Sequence, residues 1–132
     1  MSVVYFGKSD LISEGTNSDI DTVEEDIVSD TDIGDLSFSQ LSMYVTTDLG
    51  THTTVDLRVY CRNAVGGTWH QLIKRDVSTG IIEDDYFRFN SSTPANTVID
   101  LPISACMAVK VTGKGIGGAN AAVTVRLMGR SN

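Results

Sequence analysis

Two histidines and two cysteines are the side chains best suited to catalysis or metal binding in this chain. His52 lies in a polar turn, His70 lies beside Trp69 in a predicted strand, and Cys61 and Cys106 lie at the ends of apolar strand faces. A zinc site needs three or four ligands at recognisable spacing, and the histidines and cysteines form no such cluster. The Gly-x-Ser-x-Gly motif of a nucleophile elbow is also missing. We therefore predict no enzyme activity, no cofactor and no metal site, and interpret both histidines as ordinary surface or strand residues.

The two cysteines have two interpretations. Free cysteines are among the most buried residue types, so buried thiols are the default expectation. A disulfide between Cys61 and Cys106 is the alternative, and it requires neighbouring strands with Cα atoms within about 7 Å. A reactive thiol is not expected, because no base or helix N-terminus is predicted beside either residue.

Acidic residues are concentrated in three short runs between Asp19 and Asp35. An EF-hand calcium loop requires acids at its first, third and fifth positions and glycine at its sixth. Here Gly34 follows Asp30 by four positions, and Asp35 stands where the glycine should be. An irregular calcium site built from loop carboxylates remains an alternative. A solvated or partner-facing acidic strip is the preferred interpretation.

Four aromatic residues could stack on a sugar if they shared one open surface: Tyr60, Trp69, Tyr86 and Phe87. Aromatic residues spread over a β-domain more often pack in its core and rim, and that is the preferred interpretation. Carbohydrate binding is kept as an alternative function.

Lys114 lies in a glycine-rich stretch, Gly-Lys-Gly-Ile-Gly-Gly, that superficially resembles a phosphate-binding loop. The stretch lacks the Gly-Lys-Ser/Thr ending of a P-loop and lies between two predicted strands rather than before a helix. We interpret residues 113–120 as a flexible turn between the last two strands.

The composition bounds the class of protein. The chain has 132 residues, of which 41% are hydrophobic and 20% charged, and its net charge is −7. This length suits one domain that buries a core. No apolar run approaches the roughly 18 residues that span a membrane, and the sequence begins without the pattern of a secretory signal. The acidic total argues against binding through nucleic-acid phosphates. We expect a soluble globular domain with neither membrane nor nucleic acid as partner.

The net negative charge of the chain comes from its first quarter. Residues 1–35 contain ten acidic residues and one basic residue, Lys8, whereas residues 36–132 contain seven acidic and nine basic residues. Such asymmetry is typical of an interaction arm, and a solvated edge that keeps the protein soluble is the alternative. We predict an acidic N-terminal arm over 1–35 and a folded domain over 36–132.

The folded domain is predicted to be all-β. Residues 55–62, 107–112 and 123–127 alternate apolar and polar side chains, as half-buried strands do. Weaker strand candidates cover 36–46, 68–74, 81–89 and 97–101, and the apolar phase shift within 36–46 indicates a β-bulge or a bend. Turn residues separate these segments; Gly66-Gly67, for example, predicts a short hairpin loop. We therefore predict an antiparallel β-sandwich, jelly-roll-like, with an extended acidic N-terminal arm.

The stretch from Ile20 to Val28 has two interpretations. Its apolar residues fall on one helical face, and Ser18 could cap such a helix. All of these apolar residues are β-branched, however, so extended structure is preferred over a short helix.

The strand rhythm of residues 36–132 is similar to that of a known class of proteins. The similarity lies in four segments: the run Val-Asp-Leu-Arg-Val-Tyr-Cys at 55–61, the Gly-Gly-Thr-Trp hairpin at 66–69, and the closing strands at 107–113 and 122–127. Together these segments resemble the small β-sandwich virion proteins of tailed bacteriophages, and most closely the capsid decoration (cement) proteins. The resemblance implies a non-enzymatic structural role in a virion assembled in the host cytoplasm. Its implied partners are the major capsid protein, other virion subunits and further copies of the chain in a homo-oligomer.

The N-terminal arm is the predicted partner-binding element. Its apolar tip is expected to add as a strand to a neighbour's sheet edge, and an ordinary first strand is the alternative for the same residues. The acidic residues behind the tip are expected to meet basic surfaces of the capsid or of other subunits. The candidate partner-binding residues are Val3, Val4, Tyr5, Phe6, Glu24, Glu25 and Asp26.

Two alternative functions follow from these observations. Within the same class, the chain would be a subunit associated with the tail, neck or fibre of a virion. In a different class, it would be a carbohydrate-binding β-sandwich module.

Overall fold

Nine β-strands make up the regular structure of the chain. The computed structural model describes residues 8–33, 40–64, 66–72, 86–101 and 106–131, and within these ranges it contains no helix, hence none able to span a membrane. The strands are β1 (Lys8–Ile20), β2 (Glu25–Asp32), β3 (Gln40–Asp48), β4 (Thr54–Arg62), β5 (His70–Gln71), β6 (Phe87–Asn90), β7 (Asn96–Leu101), β8 (Ala108–Ile116) and β9 (Ala121–Ser131).

The strands form two antiparallel sheets packed as a sandwich. Sheet A has the order β1-β9-β3-β7, and sheet B has the order β2-β8-β4-β5, with β6 also paired to β4. The chain crosses from one sheet to the other after each of its first three strands. This order is that of a double-sheet jelly roll. The predicted all-β, jelly-roll-like sandwich is confirmed.

The core comes from the inward-facing positions of the alternating strands. In β4, Val55, Leu57 and Val59 are buried, as the alternation predicts. The same holds for the apolar positions of β8 and β9, where the core residues are Val109, Val111, Val123, Val125 and Leu127. Fully burying one such side chain contributes about 1.5–3 kcal/mol relative to leaving it exposed.

The predicted acidic arm is corrected by the structure. Most of its residues form β1 and β2, which pair with β9 and β8 and complete one edge of each sheet. Ile20, Ile27 and Val28 are buried in the core. The predicted boundary between residues 35 and 36 therefore does not separate an arm from a domain, since residues 8–33 belong to the sandwich. Residues 1–7 of that arm lie outside the described residues.

The ambiguous stretch from Ile20 to Val28 is extended, and the helical alternative is wrong. β1 ends at Ile20, and β2 begins at Glu25 after a four-residue turn. Register shifts occur between Asn17 and Ile20 in β1 and on either side of Val28 in β2. A bulge moves the following side chains to the opposite face. The apolar residues therefore lose their period of two and imitate a helical spacing.

The first half of the glycine-rich segment 113–120 is strand rather than turn. β8 continues to Ile116, so the turn covers only 117–120. Gly115 lies directly against the ring of His52, where a Cβ atom would overlap the imidazole. The hairpin predicted at Gly66-Gly67 is confirmed, because β4 and β5 pair on either side of it, with Tyr60 opposite Gln71. The phase shift predicted near residue 38 lies outside the described residues.

Cys61 and Cys106 form a disulfide, so the default expectation of free thiols is wrong. Their Cα atoms are 5.6 Å apart. Cys106 lies just before β8, and the backbone N–H of Met107 donates to the carbonyl of Arg62 at 2.8 Å. This hydrogen bond extends the β4–β8 ladder and brings the two cysteines side by side. The bridge joins the end of β4 to the start of β8.

Candidate interaction faces

The candidate partner-binding residues fall into two groups in the structure. Residues 3–6 lie outside the described residues. Glu24, Glu25 and Asp26 lie at the start of β2, at the edge of sheet B. Glu25 is directed toward β1, since the amide of Asn17 donates to its carboxylate at 3.5 Å. Glu24 instead lies over the outer face of sheet B.

Glu24 is held by side chains from the two neighbouring strands. The Tyr60 hydroxyl donates to Glu24 Oε2 at 2.5 Å, and the Thr112 hydroxyl donates to the same oxygen at 2.7 Å. Arg58 Nη1 lies 4.0 Å from Glu24 Oε1. The carboxylate therefore bridges β8 and β4 across the outer face of the sheet.

This arrangement shifts two pKa values in opposite directions. Burial alone raises the pKa of the Glu24 carboxyl, but hydrogen bonds from Tyr60 and Thr112, together with the charges of Arg58 and Lys110, outweigh it and lower the pKa. Burial, the hydrogen bond to Glu24 and the charge of Glu24 raise the pKa of Tyr60 to about 12. At neutral pH Glu24 is ionised and Tyr60 is a hydrogen-bond donor.

An acidic stripe runs along β2 on this outer face. Asp26 pairs with Thr112 and Asp32 with Ala108, and Asp30 forms an ion pair with Arg62 on the far side of β8. Paired residues of neighbouring strands share a face, so these carboxylates project on the same side as Glu24. The stripe consists of Glu24, Asp26, Asp30 and Asp32.

A basic band lies beside the acidic stripe on the same face. Its members come from the outward positions of β4, β6 and β8, and they include half of the ten basic residues of the chain. Lys110 is paired with Tyr60, and Lys114 with Asp56. The band consists of Arg58, Arg62, Arg88, Lys110 and Lys114.

Aromatic rings are interleaved with these cations. Lys110 Nζ lies 5.1 Å from the centre of the Tyr60 ring and 5.0 Å from that of Trp69. Arg62 also covers Trp69, at 4.7 Å. Arg88 covers the remaining outward ring, Tyr86, at 4.7 Å. Cation–π contacts of this kind fix both partners on the surface.

The aromatic residues do not form the platform that sugar stacking requires. Tyr60, Trp69 and Tyr86 each have a cation over the ring, and Phe87 packs against the core instead. The preferred interpretation of core and rim packing is confirmed. The carbohydrate-binding alternative therefore loses the feature on which it depended.

Three of the basic residues are engaged by carboxylates, and the first of them is Arg58, which contacts Glu24. Arg88 forms a two-pronged ion pair with the buried Asp56, with N–O distances of 2.8 and 3.0 Å, and Arg62 is paired with Asp30. Within the described ranges, neither Lys110 nor Lys114 has an ion pair within 4.0 Å. The lysine charges are therefore available to a partner.

The outer face of sheet A has a different character. Leu11, Tyr44 and Val98 are 56%, 46% and 53% exposed, although all three lie on regular strands. A groove of about 530 Å³ runs beside Tyr44 and Val98. Its other lining residues include Thr46, Asn96, Thr124 and Arg126. We call this depression the sheet A groove.

The walls of the sheet A groove are fixed by cross-strand hydrogen bonds. Thr46 donates to the Asn96 side chain at 2.9 Å, and Arg126 Nε donates to Glu14 at 2.7 Å. These bonds engage the polar groups beside the groove, while Tyr44 and Val98 remain exposed. Exposed apolar side chains with a polar rim are typical of a protein-binding surface.

The histidines have structural surroundings. His52 is buried, which differs from the expected surface or strand position. The backbone N–H of Gly118 donates to its Nδ1 at 3.1 Å, so Nε2 carries a hydrogen and donates to the carbonyl of Ile20 at 2.8 Å. His52 thus ties the loop before β4 to the end of β1 and to the turn between β8 and β9. His70 is exposed in β5. Over the described part of the chain, no three His, Cys, Asp or Glu side chains are grouped to hold a metal.

The comparisons with known proteins find similarity among solved structures. No protein-family model matches the chain, and no curated protein matches it at a significant level. Among solved structures, it is similar to the crystal structure of the SPBc2 prophage-derived protein YomS. That match has a TM-score of 0.53 and 12% sequence identity, and covers 96% of this chain and 99% of the other. At this identity the likeness shows a common fold, in a protein of prophage origin.

Proposed function

We propose that this chain is a non-enzymatic structural subunit of a phage-type particle, a decoration subunit that binds the outer surface of the capsid and stabilises the shell. Two findings support the phage context. The sequence resembles small β-sandwich virion proteins, and the fold is similar, over nearly the whole of both chains, to a prophage-derived protein.

The sheet A groove is the observation that supports binding of this subunit to the capsid surface. Tyr44 and Val98 expose apolar surface on a rigid four-stranded sheet, and a polar rim surrounds them. Tyrosine is among the residues that dominate binding energy at protein interfaces. A sheet held by a continuous hydrogen-bond ladder changes little on binding, which lowers the entropy cost of docking.

Stabilisation of a shell would follow from many modest contacts rather than one strong one. Each bound subunit favours the assembled state in proportion to its concentration and affinity. If one subunit contacts two neighbouring capsid proteins, the second contact is effectively intramolecular and strengthens the first.

The test is whether the protein is present on particles, and where. Particles would be purified from the phage or induced prophage whose genome encodes the chain, analysed by mass spectrometry, and labelled with a gold-conjugated antibody. Gold distributed over the heads is the expected result. Gold confined to the tail, neck or fibres would support the alternative virion role and contradict decoration. Absence of the chain from purified particles would contradict both.

Variants of the sheet A groove make the test specific. Tyr44→Ala and Val98→Ala together should reduce binding of purified protein to undecorated particles at least tenfold in a sedimentation assay. Val23→Ala is the matched control, because Val23 is 69% exposed but lies on the β1–β2 turn away from the groove. Equal binding by the groove variant and the control would show that the groove is not the docking surface.

A further inference from the structure

We infer that two copies of this chain pair face to face through the outer face of sheet B, with the acidic stripe of each copy lying over the basic band of the other. This inference goes beyond the proposed function, because it concerns the isolated protein in solution and does not depend on any particle.

The charges on this face are separated into two parallel bands. β2 and the residue just before it carry Glu24, Asp26, Asp30 and Asp32, whereas β8 and β4 carry most of the basic band. Adjacent strands lie about 4.8 Å apart, so β2 and β4 are separated by about 10 Å. With Asp56 included, the described residues of this face comprise five acidic and five basic side chains. Their charges balance and are strongly polarised across the strands.

This polarisation selects one symmetry. A two-fold axis parallel to the strands carries the β2 edge of one copy over the β4 side of the other, which places acids against bases. A two-fold axis that lies in the face but runs across the strands would place acids against acids. Two-fold interfaces must be self-complementary, and only the first axis makes this face so. Like-charge contacts at an interface cost several kcal/mol, which excludes the second.

The basic band and the aromatic residues interleaved with it suit such an interface. Tyr60, Trp69 and Tyr86 offer large rigid surfaces, and tryptophan, tyrosine and arginine are the residues most enriched at binding hot spots. Lys110 and Lys114 have no ion pair within the described ranges, so their charges can meet the carboxylates of a second copy.

The acidic stripe argues against a polyanion as the occupant. Nucleic acid would have to place phosphates beside Glu24 and Asp26, and each carboxylate there opposes the binding energy that lysine and arginine supply. A second copy meets both bands at once. The proposed contacts are mainly between opposite charges, so pairing should depend strongly on salt and on single charges.

The experiment measures the oligomeric state of the full chain by sedimentation velocity over a range of concentrations, at low and high salt. The wild type should form a dimer at low salt that dissociates as salt is raised. Two charge-reversal variants should each raise the dimer dissociation constant by about 100-fold. The first combines Lys110→Glu with Lys114→Glu, and the second combines Asp26→Lys with Asp32→Lys. Circular dichroism checks that both variants remain folded.

Mixing the two variants is the decisive step. One then has a largely acidic face and the other a largely basic one, so an equimolar mixture should form a heterodimer although neither variant pairs with itself. The control is the variant with Arg126→Glu and Arg130→Glu, which changes the net charge equally but lies on β9 in sheet A, and it should remain dimeric. A monomeric wild type at low salt, a dimer that survives the lysine reversal, or a mixture that fails to pair would each overturn the inference.

Discussion

The hydrogen bond between Tyr60 and Glu24 fixes the electrostatics of the outer face of sheet B. An ionised carboxylate that accepts from two hydroxyl groups holds the β2 edge against β8 and β4. The same bond makes Tyr60 difficult to ionise, because its phenolate would lie directly beside the negative charge of Glu24. The pKa values of the two residues therefore report whether this corner of the sheet is formed.

We predict that Tyr60 titrates far above the ordinary value for tyrosine. Its pKa is raised to about 12 from an ordinary value of 10.0, so the folded state retains the Tyr60 proton over this interval while the unfolded state loses it. The stability contribution is complete below pH 10 and is lost as the pH rises toward 12. Ultraviolet absorbance of the phenolate measures the titration, and Tyr60→Phe should remove the step near pH 12. Glu24→Gln should move that step toward 10.0, and an unchanged step in this variant would contradict the assignment.

His52 is a tether between loops rather than a reactive group. We predict that His52→Phe lowers the free energy of unfolding by about 2–3 kcal/mol, because the Gly118 N–H and the Ile20 carbonyl lose their partner in a buried setting. Urea denaturation measures the loss. His70→Phe is the matched control on an exposed strand and should change stability by less than about 0.5 kcal/mol. Equal effects from the two substitutions would contradict the tether.

The strands that could be predicted from the sequence are those in which apolar and polar residues alternate strictly. In β4, β8 and β9 the apolar residues of the alternating runs 55–59, 109–111 and 123–127 are buried, and the residues between them face outward, so pattern and structure agree over these runs. β1 and β2 lack this agreement because bulges interrupt their registers and because acidic residues fill most of the outward positions of β2. A segment with few apolar residues and no constant period resembles a solvated arm, although Ile20 and Val28 anchor it in the core.

The disulfide was also beyond prediction from spacing, since it depends on which strands are neighbours. Cys61 ends β4 and Cys106 precedes β8, and only the β4–β8 pairing brings them together. A burial pattern describes each strand singly and contains no information on its partner. The interaction faces were missed for the same reason, because each collects outward side chains from several strands.

We predict that the disulfide stabilises the sandwich by at most about 4 kcal/mol, the loop-closure value for the 45 residues between its cysteines. Reduction should shift the urea midpoint of the wild type to lower concentration. The variant with both Cys61→Ser and Cys106→Ser should unfold near that reduced midpoint and be insensitive to reductant. Two reactive thiols in the native, unreduced protein would contradict the pairing.

For the whole molecule, the acidic N-terminal residues are structural as well as charged. We predict that deletion of residues 2–35 abolishes folding, because it removes an edge strand from each sheet together with the core residues Ile20, Ile27 and Val28. Deletion of residues 2–7 should leave the sandwich intact and isolate any role of residues 3–6 in binding. Circular dichroism and size-exclusion chromatography distinguish the outcomes. A folded product of the longer deletion would contradict the assignment of β1 and β2 to the sandwich.

The pairing of β1 with β9 has a consequence for the order of folding. Lys8 lies opposite Ser131 and Ile20 opposite Ala121, so among the described strands β1 pairs with β9 alone. Likewise, β2 pairs with β8 alone within the described part of sheet B. During synthesis, both early strands must therefore wait with unpaired backbone edges until β8 and β9 have been made. We expect slow folding, on the millisecond to second scale typical of topologies rich in distant contacts. The acidic residues of β1 and β2 would then act before the native state exists, because their mutual repulsion keeps two waiting strands from pairing with those of other nascent chains.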